Sequence, residues 1–278
     1  MPAPSKEPFK ISLAQWSLHR AFLNNEITTL DFPQITSQTY HLNACELLNT
    51  FFKDKSQNKK YLRELKQRAD DLNVQCLLIM CDHEGELGNP DQQIRNKAIV
   101  NHMRWVEAAR QLGCHSIRVN ARSAGTPEEQ KNLLAAGLYE LSKQAQPLNI
   151  NILVENHGGL SSNSAWLVDI MKMVNLPNCG TLPDFGNFLL DDGSHYDRYQ
   201  GVTEMMPFAK AVSAKSNRFD EQGEEVEIDY QRMIEIVTRA GYHGYVGIEY
   251  EGDELSEHHG IMATKALLER AGNESAAR

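Results

Sequence analysis

Asn149-Ile150-Asn151-Ile152-Leu153-Val154-Glu155-Asn156-His157 is a short apolar run that ends in a carboxylate, and the same pattern returns further along the chain. A sixth run ends in Pro183-Asp184-Phe185-Gly186-Asn187, and an eighth, Gly244-Tyr245-Val246-Gly247-Ile248, ends in Glu249. Working outward, strands are expected at Phe9–Ser17, Asn43–Asn49, Val74–Asp82, Cys114–Ala121 and Ala209–Ser216. Runs of four to eight apolar or small residues between helical patterns are what buried parallel strands look like. Eight such units predict an α/β fold, a single (β/α)8 TIM barrel. In a closed barrel every strand C-terminus opens on one face, where catalytic residues gather. Three carboxylates distant in sequence would then meet around one point.

The intervening segments read as helices. Asn58–Leu72, Asp91–Leu112, Thr126–Gln144, Ser162–Val174, Asp229–Ala240 and Leu255–Arg270 each carry an apolar stripe. Thr126-Pro127-Glu128-Glu129 supplies an N-cap, a first-turn proline and acids favoured by the helix dipole. Gly113 and Gly241 stand where helices should stop. The stretch from Leu190 to Pro207 is polar and aromatic, and is expected to be a βα loop over the site. One domain is expected over residues 1–278, with frayed ends at about 1–8 and 272–278.

The 278 residues are 41% hydrophobic and 23% charged, ordinary for a soluble globular chain. A formal charge of -9 argues against nucleic acid as a partner, which calls for a basic footprint. No apolar run approaches the roughly 20 residues that span a bilayer, and the start lacks a signal-peptide core. A cytoplasmic protein with no membrane partner is expected, with self-association into a homo-oligomer left open. Cys45, Cys76, Cys81, Cys114 and Cys179 are odd in number, lie in or beside apolar runs, and read as buried reduced thiols.

Glu155, Asp184 and Glu249 form the strongest chemical constellation. A single acid at a strand end often caps the following helix. Three buried together need a cation or protons to offset their repulsion and lost hydration. Hard oxygen ligands suit Mg2+ or Mn2+, and Co2+ or Zn2+ if an imidazole joins. Ser213 and Lys215 share an orientation, because strand side chains alternate with period two. If Ser213 faces the barrel axis, Lys215 does too, as an electrophile or acid; otherwise it is a surface lysine just past the strand. Trp16, Glu46, His83, Arg118, Asn120 and His157 complete a pocket rim, an indole wall with directed hydrogen-bonding groups that suits a polyhydroxylated ligand. His102 and His115 read as structural, and Trp105 and Trp166 as packing.

Val-Glu-Asn-His-Gly around Glu155, Pro-Asp-Phe-Gly-Asn around Asp184 and Gly-Tyr-His-Gly-Tyr-Val-Gly-Ile-Glu-Tyr-Glu-Gly over 241–252 resemble the xylose-isomerase-like TIM barrels, from Ile11 to Leu268. That superfamily holds sugar and sugar-phosphate isomerases and epimerases, hydroxypyruvate isomerase, inosose dehydratase and endonuclease IV-type repair enzymes. In its ketose 3-epimerase branch a metal is held by a Glu after strand five, an Asp after strand six, a His on strand seven and a Glu after strand eight. The resemblance therefore implies metal ligands Glu155, Asp184 and Glu249, with Ser213 where the histidine would stand. Asn187 occupies a position where the branch often has another histidine at the substrate.

The expected activity is a divalent-metal-dependent sugar isomerase or epimerase working by proton transfer next to a carbonyl, through an enediolate. Glu155, Glu249 and Lys215 are its catalytic candidates. A lyase or dehydratase on a keto-sugar or keto-glycoside, a metal-free glycoside hydrolase, and a non-catalytic sugar-binding barrel are the alternatives. The absence of a Gly-rich phosphate loop tilts the choice toward an unphosphorylated sugar.

Overall fold

The computed structural model describes residues 8–276. Eight parallel strands are present: β1 Lys10–Ala14, β2 Ala44–Leu48, β3 Gln75–Met80, β4 Ser116–Asn120, β5 Asn151–Glu155, β6 Cys179–Leu182, β7 Val212–Ser216 and β8 Tyr245–Tyr250. They are ordered β6-β5-β4-β3-β2-β1-β8-β7. The seam between β6 and β7 closes through single bridges, Thr181 with Ala209 and Asp184 with Ser213. Across it the Ser213 amide donates to Pro183 O (2.9 Å) and the Phe185 amide to Ser213 O (3.1 Å). The result is a (β/α)8 barrel whose last seam lies at two of the candidate ligands.

Helices sheathe the strands: α1 His19–Leu23, α2 Phe32–Gln34, α3 Lys59–Asp71, α4 Gln92–Leu112, α5 Pro127–Ala145, α6 Ser164–Val174, α7 Arg198–Met205, α8 Tyr230–Arg239 and α9 Glu257–Ala276. The capping chemistry read from the sequence is in place. Thr126 Oγ1 accepts from the Glu129 amide, and the Glu129 carboxylate accepts from the Thr126 amide at 2.8 Å, a reciprocal pair that starts α5. Gly113 ends α4 at φ 78°, a left-handed conformation that suits a residue without Cβ.

Two cores result. Leu48, Leu78, Met80, Leu153 and Leu182 fill the barrel interior. The much larger set between strands and helices includes Ile79, Val106, Leu138, Ile152, Phe185 and Ile248. All five cysteines are free and buried. Among the described residues no helix is long and apolar enough to cross a membrane.

Two expectations need correcting. The stretch 190–207 is not all loop: Asp197 accepts the Gln200 amide at 2.8 Å and starts α7. None of its residues lines the cavity described below. The final helix does not stop at Arg270 but runs to Ala276, because Gly272 is buried with only a hydrogen to place against the Phe9 ring. The other residues expected to fray, 1–7 and 277–278, lie outside the described residues.

Candidate metal and sugar site

At the C-terminal mouth, oxygens of Glu155, Asp184 and Glu249 lie within 4.8 Å of one another, and all three residues are buried. Strand register brings them level: Asn120 pairs with Glu155, and Lys215 with Glu249. Asp184, two residues past β6, is pinned by its own loop. Its Oδ1 accepts the amides of Gly186 (2.7 Å) and Asn187 (2.8 Å), and its amide donates to the Asn156 side chain at 2.8 Å.

Ser213 faces the cluster. Its hydroxyl lies 3.0 Å from Asp184 Oδ2 and is also within hydrogen-bond reach of Glu249 Oε2. One hydroxyl hydrogen cannot serve two ionised carboxylates at once, so the arrangement is completed by a further proton or cation. Lys215, two residues on, also points inward and is 2% exposed. Its Nζ lies 3.3 Å from Glu249 Oε1, 3.7 Å from Asp184 Oδ2 and 2.9 Å from Glu251 Oε2. Gly186 makes this possible, because a Cβ there would fall 2.6 Å from Lys215 Cγ.

Arg118 is the second internal cation. It is buried between Glu155, whose Oε2 lies 2.8 Å from its Nε, and Asp82, whose Oδ1 lies 2.7 Å from its terminal nitrogen. The Glu155 contact is close but poorly aligned, so neither of its two atoms has a well-formed hydrogen bond. Charge attraction holds that pair, and Glu155 Oε2 keeps an unused acceptor. Asn187 Nδ2 approaches the other oxygen of Glu155 at 3.5 Å.

Titration follows from this crowding. Burial pushes Glu155 up to about 7 against the pull of Arg118. Burial also pushes Asp184 up to about 7 despite Lys215. Burial opposes ionisation of Glu249 as well, but Lys215, Ser213 and Arg118 outweigh it and hold that carboxyl below its ordinary value. Lys215 is raised: desolvation works against its charge, and Asp184, Glu249 and Glu251 overcome that. Burial and then the cations Arg118 and Lys215 depress His157, favouring its neutral ring.

Above the cluster opens a cavity of about 640 Å³ lined by Trp16, His83, Arg118, Asn120, His157 and Glu249, among others. Six of the residues expected from sequence therefore share one space. Trp16 stacks on His19 with ring centroids 4.7 Å apart, and its indole N–H donates to Glu251. Glu46 differs from expectation. It is buried inside the barrel rather than at the rim, accepts from Ser12 Oγ at 2.7 Å, and is absent from the cavity wall. Gly247 of β8 leaves room for it, since a Cβ there would meet Glu46 Oε1 at 2.5 Å. The sequence reading missed Asp82, Glu84, Glu251 and the pocket face of His102. Glu251 had a usable signal, two residues beyond Glu249 and hence on the same side.

An eight-stranded parallel barrel with buried carboxylates at its strand ends defines a class of α/β barrel proteins with an acidic centre. Within that class residues 40–271 match the xylose isomerase-like TIM barrel family, and the chain belongs to it. Among solved structures it is similar to the IOLI protein crystallised with a zinc atom (TM-score 0.75, 16% identity, covering 96% of this chain and 99% of that one). It is also similar to a xylose isomerase-like TIM barrel protein from Mycobacterium smegmatis in complex with magnesium (0.72, 14%, 96% and 98%). A third is the 3-keto-D-glucoside 4-epimerase YcjR from E. coli (0.71, 13%, 94% and 99%). At these identities the likeness establishes the fold. No curated protein sequence matches the chain.

Proposed function

We propose that the protein is a sugar isomerase or epimerase that moves a proton on the carbon next to a carbonyl, with a divalent cation held by Glu155, Asp184 and Glu249. The observation that carries this reading is the convergence of three buried carboxylates within 4.8 Å, at the mouth of a barrel whose cavity above them is lined by charged side chains beside apolar ones. The donor set fits: Glu155 Oε2 is buried without an aligned hydrogen bond, and the ligands are hard oxygens, as Mg2+, Mn2+ or Co2+ prefer, with Zn2+ also accepted. The zinc and magnesium held by two of the related structures, and the sugar epimerase among them, support the same class. When bound, such an ion polarises a carbonyl and stabilises the negative charge that develops on its oxygen.

The chain's own groups do the rest. Of Glu155 and Glu249, one removes the proton beside the carbonyl and the other returns it. Return to the opposite face epimerises; return to the neighbouring carbon isomerises. Lys215, fixed by three carboxylates, offers its ammonium to the enediolate oxygen, where a preoriented charge in a dry site is most effective. Arg118 holds Glu155 in place, and Trp16 supplies an apolar face for a sugar ring.

Deuterium incorporation tests this. With a turned-over ketose in D2O, solvent deuterium should enter the carbon next to the carbonyl, and Glu155→Gln or Glu249→Gln should stop it. Turnover with no incorporation over long incubation would mean hydride transfer or hydrolysis instead.

A further inference from the structure

The cavity is lopsided. Glu249, Glu251 and His157 mark its chemical end, while the far side is built from the segment after β3 with His102 of α4 and Arg122 after β4. The proton-transfer chemistry uses none of that far side. His102 lines the cavity although it is only 2% exposed. Its Nδ1 lies 2.8 Å from Ala98 O, and since a carbonyl only accepts, Nδ1 carries the hydrogen. Burial pushes the ring down to about 4, so at neutral pH Nε2 is an acceptor. It has no protein partner among the described residues.

Glu84 on the same wall is tied to α4. Its Oε1 accepts from Trp105 (2.7 Å) and Asn49 (3.0 Å), and its backbone oxygen from Asn101 (3.2 Å). Capacity remains at Oε2. Acceptors beside apolar Leu48 and Met80 call for a ligand with hydroxyl donors and flat ring faces. Five carboxylates line the cavity, from Asp82, Glu84, Glu86, Glu249 and Glu251, against the guanidiniums of Arg118 and Arg122. That balance repels a phosphate. A volume of about 640 Å³ belongs to the range that takes drug-sized ligands, more than one six-carbon ring fills.

We propose that this far side is a second sugar subsite, in which His102 Nε2 accepts a hydroxyl from a ring attached to the reacting sugar, so that the substrate is an unphosphorylated glycoside or disaccharide. The inference rests on the sugar-enzyme reading above, and its test is separable from it. Calorimetric titration of the whole chain compares a 1,4-linked glucose disaccharide with glucose and glucose 6-phosphate. The disaccharide should bind about tenfold tighter than glucose or better, a factor worth one pocket-sized set of contacts, and the phosphate no tighter than glucose. His102→Leu should remove the disaccharide's advantage and leave glucose affinity unchanged, with His102→Gln restoring part of it.

Because His102 is buried, the wild-type ratio is decisive even if a variant fails to fold. Equal binding of the disaccharide and glucose, tighter binding of the phosphate, binding of no probe, or a preference that survives in a folded His102→Leu would each overturn the subsite. A preserved preference in wild type without deuterium exchange would instead leave the subsite standing and remove the proton-transfer reading.

Discussion

The two halves of the barrel mouth are built on different principles. From β5 to β8 the functional side chains leave strand ends directly, are nearly or fully buried, and hold one another in a dense charge network of Glu155, Asp184, Ser213, Lys215 and Glu249. From β1 to β4 the mouth is open, and much of its lining comes from loop and helix residues, among them Trp16, His83, Glu84 and His102. The dense half has the geometry for chemistry, which needs atoms held within fractions of an ångström. The open half has the room and the directed acceptors that recognition needs.

Removing a charge from the dense half should break the contrast most severely. Asp184→Asn should abolish tight metal binding and lower turnover by roughly 100-fold to 10,000-fold, the scale at which loss of a catalytic or charge-stabilising group is felt. Chelation with EDTA should do the same to the wild type reversibly, with Mn2+, Co2+ or Mg2+ restoring activity. Metal analysis alongside steady-state rates reads both, and an Asp184→Asn protein with full activity and no metal would end the cluster's proposed role.

Next in size is Lys215→Met. It leaves Asp184, Glu249 and Glu251 facing one another without their ammonium, and breaking a buried pair by removing one partner costs about 3–5 kcal/mol. Denaturant unfolding of the metal-free protein measures it. A Lys215→Met protein within experimental error of wild type would mean that water reaches the cluster and screens it.

Two acids of the β1–β4 side then differ from each other in the sign of their pH response. Asp82, with a side chain 23% exposed beside Arg118, is opposed by burial but held down to about 2 by that guanidinium. A depressed acid stabilises the fold fully above its unfolded value near 4, and this contribution disappears as pH falls through about 2. Its size is roughly 2 kcal/mol. Glu46 is the reverse: burial lifts it to about 8, so its contribution is complete below its unfolded value and is lost as pH rises through about 8. Compared with wild type, Asp82→Asn should show its full loss of stability above about pH 4 and none below about pH 2, whereas Glu46→Gln should gain relative stability toward pH 8. Parallel stability curves for wild type and both variants would contradict these assignments.

Much of this contrast was legible in the sequence on one side only. Period-two strands ending in acids announce where their side chains go, so Glu155, Asp184, Ser213, Lys215 and Glu249 could be brought together before any coordinates. Glu46 was misplaced because a strand residue's depth within the barrel depends on register, and the β2–β3 ladder shifts between Cys45 and Glu46. Helix α7 was missed because Gly201 and its polar neighbours read as loop, while the structure supplies the Asp197 cap and buries Gly201 against the Phe188 ring. His102 was taken as structural, and its Nδ1 contact is. The residue nevertheless lines a cavity formed by segments far apart in sequence, which no local pattern encodes.

The smallest expected change sharpens the comparison most directly, because it restores a feature that the related epimerase branch has and this chain lacks. Ser213 now contacts both Asp184 and Glu249, relieving their repulsion when no metal is bound. Ser213→His would remove that relief and supply a stronger ligand, so the metal-free and metal-bound forms should respond in opposite directions. Metal affinity should rise about tenfold, the low end of what changes around a metal site produce, while the metal-free protein melts earlier than wild type. Thermal unfolding with and without Mn2+ reads both effects in one experiment, as a wider gap between the two melting temperatures. An unchanged gap in a folded variant would mean that the β7 position does not reach the ion, and that the dense half accommodates its cation through the three carboxylates alone.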